Sequence, residues 1–144
     1  AARSGARNIV VLTDYKNLKS GYDLVLVDAP CTGTGTWRRS PDARWRASKK
    51  QSAELIKTQR DILEKAAKSV KSGGRLFYIT CSLDAAENDE QIAAFLKKHK
   101  DFKLENLAPV FEKITGKTIL TPVVHLTPSA FGTDGFFAAS MIKA

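Results

Sequence analysis

The strongest constraint on the fold of this chain comes from three short apolar runs, each followed directly by polar or small residues. The runs are Ile9–Leu12, Leu24–Val27 and Leu76–Ile79. Runs of this length that are rich in β-branched and aromatic residues predict strands, and the lack of strict polar alternation indicates a sheet buried on both faces. The chain is therefore expected to build its core around a sheet.

Two helical patterns accompany these strands. Ser48 and Gln51 form a Ser-x-x-Gln capping box, apolar residues then recur at helical spacing, and Gly73 is expected to end this first helix. A second helix is expected to start at Asp84, with Glu87 three residues later in its first turn. Each good cap stabilises a helix by about 1 kcal/mol.

The last third of the chain changes to strand-like patterning. Thr118–Leu126 and Phe136–Ile142 predict two strands, and the loop between them contains Pro and Gly, which favours an antiparallel pair. Strands that alternate with helices predict an α/β fold, with a mostly parallel sheet that ends in this C-terminal antiparallel strand pair. Ligands of such sheets bind beyond the carboxyl ends of the strands, which puts Asp14, residues 28–35 and residues 80–82 along one functional edge.

Composition narrows the classes of function. The 144 residues include 23 Lys and Arg against 15 Asp and Glu, a net charge of +8, and 43% of them are hydrophobic. That is enough apolar material for a core, yet no run approaches the roughly 18–20 apolar residues of a membrane span. The basic excess favours a nucleic-acid partner, although a merely basic soluble surface has the same composition. Two cysteines do not make a disulfide scaffold, so the cytoplasm is the expected location.

The two cysteines follow predicted strands and do not lie inside the apolar runs. Cys31 comes after the second strand and Cys81 directly after the third. Neighbouring strands lie about 4.8 Å apart, so the two thiols are expected to face one crevice. We interpret them as chemically active; the alternatives are two small buried hydrophobic side chains or a structural disulfide. A metal site is a weaker interpretation, because His99 and His125 add no spacing typical of zinc ligands.

A basic segment follows Cys31, and it contains Trp37 and Trp45 among its cations. Arg and Lys neutralise phosphates and exposed aromatic rings stack on bases, so this segment is the predicted nucleic-acid surface. The alternative is a solvated loop whose two tryptophans pack into the core. The candidate binding residues are Arg38, Arg39, Arg44, Arg46, Lys49 and Lys50.

Five motifs occur in a fixed order along nearly the whole chain. They are Asp28–Gly35, Arg38–Asp42, Thr80–Leu83, Glu87–Asn88 and Gly132–Phe137. Together they resemble the Sun/Fmu/nucleolar family of RNA cytosine-5 methyltransferases, and within that family the bacterial 16S ribosomal RNA enzymes. The combination is specific, whereas Gly33 and Gly35 alone form only a weak Gly-x-Gly signal that would let the backbone approach a flat ligand.

The resemblance implies a Rossmann-like fold that uses S-adenosylmethionine as cofactor and RNA, in particular 16S ribosomal RNA, as partner. It implies that Cys81 is the nucleophile, that Cys31 assists release of the methylated product, and that Asp28 holds and polarises the cytosine. It also makes Asp14, Asp28 and Pro30 the candidate cofactor-binding residues and assigns RNA to the basic segment. Covalent catalysis suits cysteine, since a thiolate is both a good nucleophile and a good leaving group.

The chain departs from the family pattern in two ways. Phe131 stands where the family commonly has His before Gly-Thr-Asp-Gly, and the family's glycine-rich cofactor loop has no counterpart in residues 1–144. We therefore expect residues 1–144 to be the C-terminal part of a methyltransferase catalytic domain, without its first strands, and to be inactive in isolation. Because unpaired strands expose apolar faces and ladder groups, we expect the chain to form a homodimer, to re-pair its edges or to leave about the first 15 residues displaced.

Two other functions stay open on the sequence alone. The chain could be an RNA-binding module without catalysis, in which case its affinity for RNA falls steeply with salt and depends little on sequence. It could instead be a DNA-type cytosine-5 methyltransferase that uses Cys31 as the nucleophile, an assignment that the Thr80-Cys81-Ser82 motif disfavours.

Overall fold

The computed structural model describes residue 5, residues 8–14 and residues 18–144 as one sheet with helices packed against it. The strands are β1 (Tyr22–Asp28), β2 (Val70–Thr80), β3 (Phe102–Glu105), β4 (Val124–Leu126) and β5 (Phe136–Lys143). The helices are α1 (Ala43–Arg46), α2 (Lys49–Ser69), α3 (Asp89–Lys98), α4 (Ala108–Thr115) and α5 (Pro128–Phe131). A short 3₁₀ helix, Thr34–Thr36, lies in the loop after β1.

The sheet is mixed, with the strand order β1-β2-β5-β3. β1 and β2 are parallel neighbours, and β5 runs antiparallel to β2 on one side and to β3 on the other. β4 pairs with the first residues of β5, on the same side as β3. The predicted α/β fold with antiparallel strands at its C-terminal end is confirmed. The prediction of a mostly parallel sheet does not hold among the described strands, because β5 pairs antiparallel with β2, β3 and β4 and only β1 and β2 are parallel.

The prediction of a buried strand at Ile9–Leu12 is wrong. These residues form no strand, and their side chains are exposed, from 46% for Leu12 to 83% for Val10. A strand needs a neighbour to satisfy its N–H and C=O groups, and among the described residues β1 pairs with β2 alone. The segment therefore lies displaced from the sheet, which is one of the three outcomes that the unpaired-strand argument predicts.

The core lies beneath α2 and α3, which cover one face of the sheet. Leu76, Tyr78 and Phe137 are fully buried there, together with Leu63 from α2. The prediction of a sheet buried on both faces is wrong for β1, where Leu24 and Leu26 are 56% and 60% exposed. Successive side chains of a strand point to opposite faces, and the described helices pack on the face of Val25 and Val27.

The first predicted helix begins as expected but ends earlier. Ser48 is the N-cap of α2, and its Oγ accepts a hydrogen bond from the N–H of Gln51 at 3.2 Å. Gly73 does not end this helix, because α2 stops at Ser69 and the chain enters β2 directly. Gly73 instead has φ +74° within an irregularity of the β1–β2 pairing, a left-handed conformation that glycine adopts without strain.

The second predicted helix starts later than expected. The carboxylate of Asp84 accepts a hydrogen bond from the N–H of Ala86, which makes a turn, and α3 begins only at Asp89. Glu87 is fully buried and turns towards the loop after β1, so it does not cap the helix. The strand predicted at Thr118–Leu126 is likewise confined to β4.

The longest helix in the described part of the chain is α2, at 21 residues. Its solvent-facing side carries many charged side chains, and none of the helices in the described ranges is both long and apolar enough to cross a membrane.

Candidate active site

The two cysteines meet at the carboxyl ends of β1 and β2. The parallel register pairs Asp28 with Ile79, and the N–H of Ala29 donates to the carbonyl of Ile79 at 2.9 Å. Cys31 and Cys81 follow within three residues, and their Sγ atoms are 3.3 Å apart. Both thiols are free and half-buried. The structure thus brings together the two side chains that the strand order predicts at one crevice.

The electrostatic setting of Cys31 favours the protonated form of its thiol. Burial, reinforced by the hydrogen bond with Cys81, raises the pKa of the Cys31 thiol to about 12. Cys31 therefore keeps its proton near neutral pH and is able to donate its S–H to the neighbouring sulfur. Burial also raises the pKa of Tyr78 well above its usual range, and its hydroxyl donates to the carbonyl of Glu87 at 2.8 Å.

Gly35 joins three segments around the crevice. Its N–H donates to the carbonyl of Cys81 at 3.0 Å, and its own carbonyl accepts from the N–H of Gly135 at 2.8 Å. A Cβ at Gly35 would lie 2.2 Å from the carbonyl oxygen of Gly135, so no side chain fits. The expectation that this glycine admits a flat ligand is wrong: the close approach is made by the chain itself.

Hydroxyl groups link the loop after β1 to the loop after β2. Ser82 Oγ lies 3.3 Å from Thr32 Oγ1 and 3.1 Å from Thr34 Oγ1. Thr34 Oγ1 accepts from the N–H of Leu83 at 2.8 Å, and Ser82 Oγ accepts from the N–H of Asp84 at 3.0 Å. These bonds fix the two cysteine loops relative to each other.

A pocket of about 330 Å³ opens beside Cys31. Its lining residues are Cys31, Thr32, Ala43, Ala47, Ser48 and Gln51. This volume lies at the lower end of the range for small-molecule sites. The half-buried thiol of Cys31 is therefore reachable from a cleft bounded by α1 and the first turn of α2.

The other predicted site residues lie along neighbouring pockets. Asp28 and Pro30 line a groove of about 490 Å³ between β1 and α2, with apolar walls that include Leu18 and Ile62. Asp14 lines a smaller pocket of about 180 Å³, which shares Leu18 with that groove. A carboxylate beside an apolar wall suits a nucleoside, whose sugar hydroxyls donate hydrogen bonds and whose base packs on apolar surface. Asp28 thus borders a groove separate from the pocket of Cys31.

The basic segment is anchored by one buried acid. Asp134 forms ion pairs with Arg38, at 3.4 Å, and with Arg39, while about two-thirds of each arginine side chain stays exposed. Both predicted RNA-binding arginines therefore also hold the loop before β5 against the loop after β1.

The two tryptophans of the segment behave differently. Trp45 is 85% exposed, with the guanidinium of Arg44 at 6.0 Å from its ring. Trp37 is half-buried, and its buried indole N–H has no hydrogen-bond partner among the residues that the structure describes. Lys49 and Lys50 are exposed in the first turn of α2, and the side chain of Arg46 lies outside the described residues. The alternative, in which both tryptophans pack into the core, therefore holds in part for Trp37 and not for Trp45.

Comparison with known proteins identifies the family. The family described as 16S rRNA methyltransferase RsmB/F matches residues 2–142. This chain belongs to the RsmB/F family. The match confirms the resemblance inferred from the five motifs.

Curated relatives carry RNA methyltransferase names. A protein of Bacillus subtilis named probable ribosomal RNA small subunit methyltransferase B is 44% identical over 126 residues. A ribosomal RNA small subunit methyltransferase B of Shewanella oneidensis is 39% identical over 123 residues. Each match covers 85% of this RsmB/F chain but only 28% and 27% of the relative, so the chain spans little more than a quarter of their length.

Solved structures confirm the methyltransferase fold. NSun6 from Pyrococcus horikoshii, solved with SFG, superposes with a TM-score of 0.76 at 28% identity, over 99% of this chain and 36% of its own. A methyltransferase homologue from the same organism gives a TM-score of 0.68 at 29% identity, over 87% of this chain and 40% of its own. The predicted Rossmann-like architecture, present here in part, is the one these proteins share.

The sequence did not predict how the polar residues around the cysteines of this RsmB/F chain bond to one another. Glu87 looked like a helix cap, yet it is buried against Thr32. Gln59 does carry a signal in the sequence, because it stands on the apolar stripe of α2 between Ile56 and Leu63 and is fully buried. A polar residue at a core position of a helix indicates a buried hydrogen-bond network.

Proposed function

We propose that residues 1–144 form the C-terminal part of the catalytic domain of an S-adenosylmethionine-dependent enzyme that methylates carbon 5 of a cytosine in 16S ribosomal RNA. The observation that carries the proposal is the 3.3 Å approach of the Cys31 and Cys81 sulfurs. Family membership and the relatives' names support the RNA substrate. The cofactor is supported by NSun6, whose bound SFG is an analogue of S-adenosylmethionine.

Cys81 is the proposed nucleophile. Carbon 5 of cytosine is a poor nucleophile until the thiolate of Cys81 forms a bond to carbon 6 and pushes the electron pair of the 5,6 double bond towards carbon 5. S-adenosylmethionine, when bound, supplies an electrophilic methyl group for that carbon. Removal of the carbon 5 proton by a base then restores the double bond, and the electron pair of the carbon–sulfur bond returns to Cys81.

Cys31 is proposed to act in this last step. Its raised pKa keeps the proton on its sulfur, and that sulfur lies 3.3 Å from the one that must leave. A thiol held there can donate a hydrogen bond to the departing thiolate of Cys81, which stabilises the negative charge on that sulfur as it leaves the base. The Thr80-Cys81-Ser82 motif counts against the DNA-type alternative, in which Cys31 would have to be the nucleophile.

Asp28, at the end of β1, and Asp14 are proposed to hold the small-molecule parts of the complex. Asp28 ends β1 three residues before Cys31, and we propose that it holds and polarises the cytosine. Asp14, Asp28 and Pro30 are proposed to bind S-adenosylmethionine, with Asp14 towards the adenine. The apolar groove bordered by Asp28 and Pro30 fits an adenosine in chemistry and in size.

The basic segment is proposed to bind the RNA. Arg38 and Arg39 keep most of their surface exposed while paired with Asp134, and Lys49 and Lys50 extend the positive charge to the first turn of α2. A helix start with no acidic side chain is itself partly positive, which favours phosphate. Arg44 beside the exposed ring of Trp45 supplies a stacking surface, and Arg46 belongs to the same proposal.

The decisive test is covalent trapping on a protein that carries this segment within a complete catalytic domain. RNA with 5-fluorocytidine at the target stalls the reaction, because fluorine at carbon 5 cannot leave as a proton does. A denaturant-resistant protein–RNA adduct is expected for the unaltered protein and for Cys31→Ala, and it is expected to be absent in Cys81→Ala.

The other outcomes separate the alternatives. Loss of the adduct in Cys31→Ala, with retention in Cys81→Ala, would support the DNA-type assignment. RNA binding that depends steeply on salt, without any adduct, would support the RNA-binding module, since charge contacts to phosphate give that dependence.

The 144-residue chain by itself is proposed to be inactive and cytoplasmic. Calorimetric titration with S-adenosylmethionine tests the proposed inactivity, which predicts no binding. Micromolar binding would show that the cofactor site is complete within this chain. The proposed homodimer, formed through the outer edge of β1, predicts a solution mass of twice 15.8 kDa by light scattering.

A further inference from the structure

A buried carboxylate lies directly behind the Cys31 loop. Glu87 is 0% exposed, although it stands in the turn before α3. Its two oxygens accept from the N–H of Thr32 at 3.0 and 3.3 Å, and Oε2 accepts from the hydroxyl of Thr32 at 2.5 Å. Oε1 also accepts from Nε2 of Gln59 at 3.0 Å. Three donor groups thus converge on one carboxylate, which is an acceptor alone when ionised.

These contacts hold the backbone on both sides of Cys31. The N–H of Thr32 belongs to the peptide group that follows Cys31, and Glu87 binds it. The carbonyl of Pro30 belongs to the peptide group that precedes Cys31, and it accepts from Nε2 of Gln59 at 2.9 Å. Since Gln59 also donates to Glu87, one connected pair of side chains fixes both flanks of the cysteine.

Hydrogen bonds from residues of α2 and α3 orient the pair formed by Gln59 and Glu87. Oε1 of Gln59 accepts from Nε2 of Gln91 at 2.9 Å, and the same Nε2 donates to the carbonyl of Ile56 at 2.8 Å. Nε of Arg60 donates to Oε1 of Gln91 at 3.3 Å. This chain of bonds leaves Gln59 a single orientation of its amide, with Nε2 towards Pro30 and Glu87.

Packing alone does not explain why an acidic side chain is buried behind the Cys31 loop. Among the described residues, the hydrogen bonds of Glu87 come from a backbone amide, a hydroxyl and a side-chain amide, and no ion pair is formed. Burial of a carboxylate without a cation costs free energy that an apolar side chain would avoid. The arrangement therefore indicates that Cys31, which lies between Pro30 and Thr32, must be held in a fixed position.

We propose that Glu87, acting through Gln59 and Thr32, is the positioning residue that holds the Cys31 thiol against Cys81. The inference rests on the proposed function where it assigns Cys31 a part in product release. Whether Glu87 fixes the Cys31 sulfur beside Cys81 can be measured on this chain without any methylation reaction.

The test measures the effective concentration of one thiol at the other. The chain is equilibrated in glutathione buffers, in which Cys31, Cys81 and one glutathione disulfide give the Cys31–Cys81 disulfide and two reduced glutathiones. The disulfide fraction is read by peptide mass spectrometry after acid quenching. Misplacement of reacting atoms by about 1 Å changes such reactions by up to about 100-fold.

Glu87→Ala is expected to lower the effective concentration at least about tenfold, because the Cys31 loop loses its anchor. Glu87→Gln is expected to stay within about threefold of the unaltered chain, since its amide oxygen still accepts from Thr32 and Gln59 while its NH₂ can donate to the Thr32 hydroxyl. Rescue by the amide would show that position, and not charge, is what Glu87 supplies.

A control separates positioning from loss of stability. Ile92→Val removes one methyl group from the core beneath α3 and leaves Glu87, Gln59 and both cysteines unaltered. It is expected to lower the melting temperature while leaving the effective concentration unchanged. Gln59→Met replaces the second half of the clamp by a side chain of similar size. If Glu87→Ala does not fold, Gln59→Met tests the proposal in its place. Gln59→Met is also expected to lower the effective concentration.

The proposal is overturned if Glu87→Ala, or Gln59→Met in its place, retains the effective concentration of the unaltered chain. It is equally overturned if Ile92→Val lowers that value as much as they do. The proposed function fails by a different result, the absence of a Cys81 adduct with 5-fluorocytidine RNA, so the two failures are distinguishable.

Discussion

The cysteine crevice and the basic segment lie next to each other in the sequence and are built in opposite ways. Around the crevice, Glu87, Gln59 and Ser82 are fully buried, and each bonds to a loop that is distant in sequence. In the basic segment, Trp45 is 85% exposed and the lysines at the start of α2 face solvent.

The difference fits the two tasks proposed for these regions. Groups that must lie within about 3 Å of a reacting atom are held in position by buried hydrogen bonds. Breaking one of these bonds lowers the stability of the fold. Groups that attract a flexible polyanion need exposure and charge more than a fixed position. Asp134 connects the two regions, because it is buried beside the crevice loops and pairs with Arg38 and Arg39 of the basic segment.

The largest expected effect is at the closest backbone approach of the crevice. Gly35→Ala puts a Cβ 2.2 Å from the carbonyl oxygen of Gly135, so the two loops must separate. We expect the free energy of unfolding in urea to fall by about 3 kcal/mol. Ser40→Ala, an exposed control in the basic segment, is expected to change it by less than about 0.5 kcal/mol. Equal stabilities for the two variants would refute the contrast between the regions.

A smaller effect is expected where the regions connect. Asp134→Ala leaves Arg38 and Arg39 without their shared partner and removes a tether of the loop before β5. We expect a loss of about 2 kcal/mol in the free energy of unfolding, since a charged hydrogen-bond acceptor is lost from a buried position. Asp101→Ala serves as the exposed control. An unchanged stability for Asp134→Ala would mean that these ion pairs contribute nothing to holding the loops.

The smallest effect on stability is expected at Trp45, in the exposed region. Trp45→Ala should leave the free energy of unfolding within about 0.5 kcal/mol. If the ring stacks on a base, affinity for a single-stranded RNA, measured by fluorescence anisotropy at one fixed salt concentration, falls roughly tenfold. Trp45→Phe, which keeps an aromatic face, should recover most of that loss. RNA affinity that is indifferent to both variants would remove Trp45 from the proposed interface.

Sequence patterns predicted the crevice because its two main residues are local features of strand ends. Cys31 and Cys81 each follow an apolar run, and parallel neighbours bring their carboxyl ends together. The pattern at Glu87 misled, because Asp84-x-x-Glu87 also fits a helix start. Only the fold shows that Thr32, which is 55 residues away in sequence, draws this carboxylate inward.

The strand predicted at Ile9–Leu12 does not form for a related reason. Ile9–Leu12 has strand propensity, but propensity does not supply the neighbour that a ladder of hydrogen bonds needs. Leu24–Val27 has equal propensity and forms β1, because β2 lies beside it. Pairing is a property of the whole sheet, and a single apolar run does not carry that information.

The central proposal is that the two thiols of one crevice take different parts in the reaction, with Cys81 as the nucleophile and Cys31 held protonated. Alkylation by iodoacetamide across a pH series, followed by peptide mass spectrometry, measures this directly. A pKa raised to about 12 leaves Cys31 without thiolate at neutral pH, so its alkylation should rise only as the pH approaches that value. The urea-unfolded chain provides the reference in which both thiols react near their ordinary pKa of about 8.5. Folded Cys81 is expected to be modified before Cys31 at every pH below about 10. Earlier modification of Cys31 would contradict the proposed roles of the two thiols.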